Sequence, residues 1–352
     1  MSQAEHSHNA DKPAKAQVKI DLALQGGGSH GAFTWGVIDA LLADGRLAVE
    51  GICGTSAGAM NATVLAYGIH LNGNQGGRDK LAEFWERTAA ASAKTSPFRP
   101  SWFDRMVSPG NMDFSPSWIA FDNLSRMLSP YQLNPLNFNP LKELLLEVVD
   151  FEALRTCTAT NLFLAATNVL TGKIKVFKTH EMRVEAVLAS ACLPFIFQAV
   201  EVDGQYYWDG GYMGNPPIYP LIYGTETEDI LIIQINPINL PELPKSAQGI
   251  YDRVNTLSFN SSLMREMRII AFVTKLIDEG KLPRGRYKRL NIHMIHAEDV
   301  MQKLGVSSKL NADRGFLQYL FDIGQERAKT FLQDHFDKIG KESSTDIGEV
   351  FL

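Results

Sequence analysis

The sequence predicts a single α/β domain with a mostly parallel central sheet. Short apolar segments alternate along the 352 residues with longer segments of helical spacing, which is typical of folds built from βαβ units. An apolar fraction of 45% and a charged fraction of 21% are those of an ordinary globular protein. Glycine-flanked loops follow the first two predicted strands, and parallel strands bring such loops to one edge of a sheet.

The first predicted unit runs from strand to loop, helix, second strand, sharp turn and second helix. Val18–Leu24 is an apolar strand that ends at a triple glycine, and helical spacing follows from His30 to Ala43. Val49–Cys53 is a second strand, which leads into an alanine-rich helix over Ala57–Tyr67. In a right-handed βαβ unit both loops lie at the same sheet edge.

The middle of the chain is less regular. We expect a surface loop at Asn72–Gly77, a helix at Lys80–Ala91 and another over Leu141–Leu154. Between the last two lies an insertion at about 96–140, rich in proline, asparagine and aromatic residues, the kind of segment that forms a lid or pocket wall. Its apolar side chains from Phe98 to Phe121 fit an acyl channel, a membrane contact or ordinary core packing.

The second half of the chain is predicted to contain two hairpins and further strands and helices. The hairpins turn at Thr171-Gly172 and Asp203-Gly204. The other predicted elements are a short helix over Val184–Ser190, a buried strand over Ile230–Ile235, a long helix over Tyr251–Glu279, a strand over Leu290–Ile295 and a closing helix over Arg314–Lys338.

Composition narrows the partners and the location. We expect a disordered polar tail at 1–17, one domain at 18–340 and a C-terminal tail at 341–352. A net charge of -5 argues against nucleic acid as a partner. The three cysteines form no C-x-x-C pair, and neither a Sec signal nor a transmembrane segment is visible, which favours a cytoplasmic protein with peripheral membrane contact left open. No feature indicates an oligomeric state.

The turn after the second strand carries a candidate nucleophile. GTSAG, at Gly54–Gly58, fits the pattern G-x-S-x-G, in which small neighbours let the backbone turn tightly enough to present a serine hydroxyl. The turn lies between a predicted strand and a predicted helix, which is the context that the pattern requires. We therefore predict that Ser56 is a nucleophile.

The base is less clear from the residues alone. None of the downstream histidines lies in a motif of its own, and a structural role is expected for His293 and His296, which flank a strand end. Asp209 directly follows a strand and precedes two glycines, so the turn can hold its carboxylate at the sheet edge. A Ser-His-Asp triad, a Ser-Asp pair and a plain turn aspartate all remain open at this point.

Four blocks in order give the chain a resemblance to the patatin-like phospholipase family over most of its length. They are GGGSHG at 26–31, GTSAG at 54–58, ASACLP at 189–194 and DGG at 209–211. The resemblance implies a three-layer α/β/α sandwich, a Ser56–Asp209 dyad without a catalytic histidine, and no metal or cofactor. It further implies that the backbone of Gly26, Gly27 and Gly28 forms an oxyanion hole. The positions that support the motifs are then Gly31, Gly54, Gly58, Pro194, Gly210 and Gly211.

The glycine loop also fits G-x-G-x-x-G, the fingerprint of dinucleotide-binding folds. Such a site needs an acidic residue at the end of the second strand, whereas this strand ends in Cys53-Gly54 and runs into the serine turn. We therefore expect the loop amides to face the oxyanion of an ester-hydrolysis intermediate, with Asp209 accepting the serine proton and later activating water.

The resemblance implies a phospholipase A or lysophospholipase-type esterase that works through an acyl-enzyme. An esterase of neutral lipid or hydroxyalkanoate polyester, and a non-catalytic lipid-binding relative, remain as alternatives. Many family members carry Arg or Lys where this chain has His30, so recognition of a phosphate head group is in doubt; a helix-capping role is the other reading of His30. The basic run Lys281–Arg289 fits a solvated face better than a lipid contact.

Overall fold

The computed structural model describes residues 17–352, which form an eight-stranded sheet with helices on both faces. The strands are β1 Val18–Leu24, β2 Leu47–Gly54, β3 Asn161–Asn168, β4 Ile174–Lys178, β5 Val200–Val202, β6 Gln205–Asp209, β7 Asp229–Gln234 and β8 Asn291–His296. The order across the sheet is β5-β6-β3-β2-β1-β7-β8, and β4 pairs with β3 outside this path. Five strands that are neighbours in the sheet, β3, β2, β1, β7 and β8, are parallel to one another. The strands β4, β5 and β6 run antiparallel to their neighbours.

The helices are α1 Gly31–Asp44, α2 Ala57–Thr95, α3 Trp102–Val107, α4 Pro116–Met127, α5 Pro130–Leu133, α6 Pro140–Val148, α7 Phe151–Arg155, α8 Val184–Ser190, α9 Tyr219–Gly224, α10 Ala247–Asp278, α11 Glu298–Met301, α12 Arg314–His335 and α13 Ile347–Phe351. No helix within residues 17–352 is long and apolar enough to cross a membrane.

The sheet separates two hydrophobic cores. Because successive side chains point to opposite faces of a strand, Leu22 and Leu24 of β1 lie in the larger core whereas Ala23 lies in the smaller one. The larger core contains apolar side chains of α1, α2, α6, α8 and α12, and the smaller one those of α9, α10 and α13. The predicted three-layer α/β/α architecture is therefore confirmed.

The predicted loop at Asn72–Gly77 is reduced to a two-residue break at Asn72-Gly73, so its extent is wrong. These residues lie inside α2, where only Asn72 and Gly73 leave helical geometry. After this kink the helix resumes, and Gly76 packs against Gly68 so closely that a Cβ on either residue would overlap the other backbone. The glycines that suggested a surface loop instead permit a buried contact between the two halves of the helix.

Two further predictions need correction. The helix expected over Leu141–Leu154 is divided into α6 and α7, because Asp150 interrupts it and caps α7 by accepting hydrogen bonds from the amides of Glu152 and Ala153. Residues 341–352 do not form a free tail: the Thr345 amide donates to the carbonyl of β8 at Ile292, and Phe351 of α13 is buried in the smaller core. The predicted tail at 1–17 lies outside the described residues except for Gln17.

Candidate active site

The glycine loop and the serine turn meet at one edge of the sheet. They follow β1 and β2, which are parallel neighbours with Leu24 paired to Gly54. A Cβ built on Gly26 would lie 2.7 Å from the Cβ of Ser56, so the loop backbone passes directly over the serine. Only glycine permits this approach.

Ser56 has a strained backbone. Its φ of 57° and ψ of -123° are rare for a residue other than glycine, and they place the buried side chain at the first turn of α2. A Cβ on Gly54 or Gly58 would overlap a backbone carbonyl oxygen, which explains the small residues that flank the serine. An outlier of this kind, held by tight packing, is the geometry of a nucleophile turn.

Asp209 ends β6 with its carboxylate fully buried. Its Oδ1 accepts a hydrogen bond of 2.7 Å from the amide of Gly211, while Oδ2 is buried and has no hydrogen-bond partner in the described part of the chain. Burial raises the pKa of Asp209 to about 6, and the hydrogen bond from the Gly211 amide, the nearby Ser56 hydroxyl and the charge of Lys309 act in the opposite direction. The carboxyl group is therefore mostly ionised at pH 7 and has one oxygen free.

The ASACLP segment connects the two sides of the site. The amide of Ser56 donates to the carbonyl oxygen of Ser190 at 3.1 Å, and the amide of Asp209 donates to the carbonyl oxygen of Cys192 at 2.8 Å. Pro194 follows in the turn after α8. The sequence predicted that this segment belongs to the site but assigned no contact to Ser190.

The remaining motif glycines are packed where no side chain would fit. A Cβ on Gly31 would lie 2.9 Å from the Cβ of Ala57, and one on Gly210 or Gly211 would overlap Ala165 or Phe259. These positions bring α1 and the β6 turn against the elements that carry the serine and the aspartate.

The glycine loop differs from expectation at Gly26. Its amide donates to Asn215 Oδ1 at 2.6 Å, so it is not available to an oxyanion. The amides of Gly27 and Gly28 donate to no group that the described residues provide. Gly28 has a φ of +57°, and a Cβ there would overlap the carbonyl oxygen of Lys309. Two loop amides therefore remain as candidate donors. Asn215, which orients the loop, was not predicted, because this contact joins residues 189 positions apart and no local pattern indicates it.

His30 fills neither of the roles considered for it. The ring is buried, makes no helix-capping hydrogen bond, and lies with Nε2 2.7 Å from Ser308 Oγ. Because the Ser308 hydroxyl donates to the carbonyl of Gly305, the ring nitrogen is the donor in this pair. Burial, with a smaller effect of Lys309, lowers the pKa of His30 to about 3, so the ring is neutral and supplies no cation.

The two histidines of β8, His293 and His296, make no hydrogen bond with Ser56. His293 is buried on β8, where Nε2 lies 3.0 Å from Asp229 Oδ1 and Nδ1 lies 2.9 Å from Ser344 Oγ. Both ring nitrogens are thus occupied by residues that anchor the C-terminal segment. His296 is exposed and accepts a long hydrogen bond from the amide of Glu298.

The basic run Lys281–Arg289 is largely paired within the protein. Arg289 makes a two-pronged hydrogen bond with Asp278 at 2.7 and 3.0 Å, and Lys281 pairs with Glu279. This arrangement agrees with a solvated face. No group of three or more His, Cys, Asp or Glu side chains within residues 17–352 is arranged to hold a metal ion.

The sequence profile of the patatin-like phospholipases matches residues 22–222, which contain the glycine loop, the serine turn, the ASACLP segment and Asp209. The chain belongs to the patatin-like phospholipase family. Members of this family are typically hydrolytic lipases, which assigns lipid acyl hydrolysis to this chain at the level of the family.

Similar solved structures include two bacterial proteins. The chain is 17% identical to VipD from Legionella pneumophila, with a TM-score of 0.43, and the match covers 95% of this chain and 73% of VipD. It is 15% identical to a chain of the ExoU-SpcU complex from the type III secretion system of Pseudomonas aeruginosa, with a TM-score of 0.33, covering 90% of this chain and 52% of that one. Comparison with curated protein sequences finds no significant match.

Proposed function

We propose that this member of the family is a serine esterase of the phospholipase A or lysophospholipase type, with Ser56 as nucleophile and Asp209 as base. The observation that carries the proposal is the buried Oδ2 of Asp209, which has no hydrogen-bond partner in the described part of the chain. Burial raises the pKa of this carboxyl group, and the hydroxyl of the strained Ser56 acts to lower it. A buried acceptor without a partner is costly, and a proton taken from the serine would satisfy it.

The proposed reaction has two steps. Ser56 Oγ attacks the ester carbonyl carbon as its proton moves to Asp209, and the oxyanion that forms accepts hydrogen bonds from the Gly27 and Gly28 amides. The carbon–oxygen bond to the leaving alcohol then breaks, and Asp209 returns the proton to that alcohol. In the second step water attacks the acyl-enzyme, Asp209 takes the water proton and then returns it to Ser56, and the fatty acid leaves.

The environment of Asp209 makes it a suitable base, while the loop amides stabilise the oxyanion. A carboxyl group with a pKa of about 6 is a stronger base than an exposed aspartate. It is still far weaker than an alkoxide, so the oxyanion donors must carry much of the barrier reduction. Each such donor typically contributes about 2.7–4 kcal/mol in a water-excluded site.

The insertion at 96–140 supports contact with a lipid surface. Met127 and Leu136 are 80% and 91% exposed, and Trp102 and Phe138 are also exposed. The insertion contains three arginines and three aspartates, so its formal charge is zero. This composition suits insertion of apolar side chains into a bilayer interface rather than attraction to anionic lipid.

The insertion is attached on both sides of the site. On one side the Met112 amide donates to Ser307 Oγ at 3.0 Å, next to the turn that contacts the glycine loop. On the other side Gln198 Nε2 donates to the carbonyl oxygen of Asn134 at 2.9 Å, a few residues after the segment that holds Asp209. A bilayer that contacts the insertion would therefore lie near the entrance to the site.

The nucleophile is tested by covalent labelling with a fluorophosphonate and peptide mapping. We expect Ser56 to be labelled, and labelling to be lost in Ser56→Ala but retained in Ser92→Ala, a serine variant on the same helix. Wild-type protein that remains unlabelled at Ser56 while correctly folded would contradict the proposal.

The substrate class is tested with phospholipids, lysophospholipids, monoacylglycerols and hydroxyalkanoate oligomers. We expect release of fatty acid from phospholipid or lysophospholipid, and loss of that activity in Asp209→Asn. Turnover restricted to the neutral esters would replace the phospholipase assignment with that of a neutral-lipid or polyester esterase. Binding of lipid without turnover of any ester would indicate a non-catalytic lipid-binding relative.

A further inference from the structure

A lysine ammonium group lies behind the glycine loop. Lys309 belongs to the 3-10 turn Val306–Leu310, and its Nζ donates to Asn236 Oδ1 at 3.0 Å and to Asn255 Oδ1 at 3.2 Å. Both acceptors are neutral amide oxygens. The charge of the ammonium group is therefore not neutralised by its hydrogen-bond partners.

One of these partners connects Lys309 to the glycine loop. Asn236 donates through Nδ2 to the carbonyl oxygen of Gly26 at 2.9 Å, and its Oδ1 accepts from Lys309. The backbone of Lys309 also packs against Gly28 so closely that only glycine fits there. The same residue thus contacts the loop through its side-chain network and through its main chain.

The other side of the ammonium group faces the turn that carries the base. Lys309 Nζ lies 5.3 Å from the ring centroid of Phe259, and that ring packs against Gly211. Gly211 is the residue whose amide donates to Asp209. The ammonium group therefore contacts one residue that holds the glycine loop, Asn236, and one that packs against the turn after Asp209, Phe259.

The charged and titratable groups around Lys309 are few. Burial lowers the pKa of Lys309 to about 8, and the charges of Asp252 and Asp209 act against this effect. His30, which also faces it, is neutral. At pH 7 Lys309 is therefore mostly protonated and acts as a cation on the site.

Asp209 is faced by several groups but by few charges. The Gly211 amide donates to it, the Ser56 hydroxyl faces it, and Lys309 contributes a positive charge. Cys192 and Tyr212 also face it, and their pKa values are raised to about 12, so both are neutral near pH 7. Among the described residues Lys309 is the cation that acts on this carboxylate.

We propose that Lys309 is a positioning residue for ester hydrolysis: its ammonium group holds the glycine loop through Asn236 and keeps the buried Asp209 in its carboxylate form. This inference rests on the proposed function. Nothing in the local sequence indicates this role, because Lys309 lies 100 residues beyond Asp209 in a segment without a motif.

The experiment compares the pH dependence of Ser56 labelling by a fluorophosphonate, and of hydrolysis of a soluble nitrophenyl ester, from pH 5 to pH 9. Lys309→Gln keeps a donor for Asn236 but has no charge, and Lys309→Met has neither. Lys309→Arg keeps the charge, and Asn255→Ala removes one acceptor without changing the charge. Folding of every variant is checked by circular dichroism.

We expect the wild-type rates to rise with pH through an apparent pKa near 6. Removal of a cation near a carboxylate raises the pKa of that carboxylate, so the rising limb should move up by about 1 pH unit in Lys309→Gln and Lys309→Met. At pH 6 this shift corresponds to a roughly fivefold lower rate, which should recover at higher pH. The limb should stay at its wild-type position in Lys309→Arg and Asn255→Ala.

A folded Lys309→Gln with the wild-type limb would overturn the inference, as would an equal shift in Asn255→Ala. If Lys309→Met does not fold, Lys309→Gln and Lys309→Arg still decide between charge and packing. Failure of the proposed function has a different signature, because wild-type protein would then show no labelling at Ser56 at any pH.

Discussion

The edge of the sheet that holds Ser56 and Asp209 and the insertion at 96–140 are built in opposite ways. At this edge the amides of Gly26, Ser56 and Asp209 donate to buried partners, and glycines let backbone segments touch. In the insertion short helices expose large apolar side chains, with Trp118 as a buried anchor. Under the proposed function the contrast has a physical reason: donors for a transition state require a rigid frame, whereas contact with a lipid phase requires exposed apolar area.

The largest expected effect is that of replacing Asp209, the proposed general base. Asp209→Asn should lower kcat by about 10³- to 10⁴-fold, because an amide cannot accept the serine proton. The measurement is steady-state hydrolysis of a soluble ester. Asp203→Asn is the matched control, since Asp203 lies in the exposed β5–β6 turn and Asn tolerates its positive φ. An Asp209→Asn enzyme with more than a tenth of wild-type activity would break the comparison.

The second prediction concerns the glycine loop. Gly28→Ala places a Cβ against Lys309 at a positive φ and should displace the loop amides, lowering kcat by about 10²- to 10³-fold. Gly45→Ala is the control, because Gly45 also has a positive φ but has open space around it. The control should lose about 1 kcal/mol of folding free energy and keep its kcat. Equal kinetic losses in both variants would remove the special role of the loop.

The third prediction tests the insertion. Met127→Ser combined with Leu136→Ser should weaken partitioning onto phosphatidylcholine vesicles by about tenfold or more, because two apolar side chains no longer enter the interface. Sedimentation with vesicles measures this effect, and hydrolysis of a soluble ester should be unchanged. Ile269→Ser combined with Phe272→Ser removes similarly exposed side chains from α10 as the control. An equal loss in the control would show that the insertion has no special part in lipid contact.

The smallest expected effect concerns a second buried aspartate, Asp21, in the middle of β1. Burial raises the pKa of Asp21 to about 7, as it raises that of Asp209, but Asp21 Oδ2 accepts a hydrogen bond from Thr225 and no serine nucleophile follows. Because the folded state holds this proton at a higher pH than the unfolded state does, the contribution of Asp21 to stability falls as pH rises through about 7.

Asp21→Asn has no such proton. Its stability relative to wild type should therefore increase by about 2 kcal/mol between pH 5 and pH 8, with activity unchanged. Denaturant unfolding at the two pH values measures this change. A stability difference between the two proteins that does not vary with pH would show that Asp21 does not titrate in this range.

The elements predicted well are those whose local pattern and packing agree. β1, α8, the two hairpins and the long helix α10 have strong apolar periodicity or clear turn residues, and their bounds lie within a few residues of those predicted. The extent of the loop at Asn72–Gly77 was wrong because glycine is equally suited to a loop and to a close contact between helices. The contact between Gly76 and Gly68 shows that Gly76 belongs to a helix contact.

By itself the sequence determined the α/β class, the family resemblance, and the candidates Ser56 and Asp209, since each depends on short-range patterns of apolar residues, glycines and polar side chains. Only the tertiary structure decided that Gly26 donates to Asn215, that His30 is neutral, and that Lys309 lies beside the site. These facts depend on burial and on contacts between segments far apart in the chain, and free energies of desolvation arise only when the chain is folded.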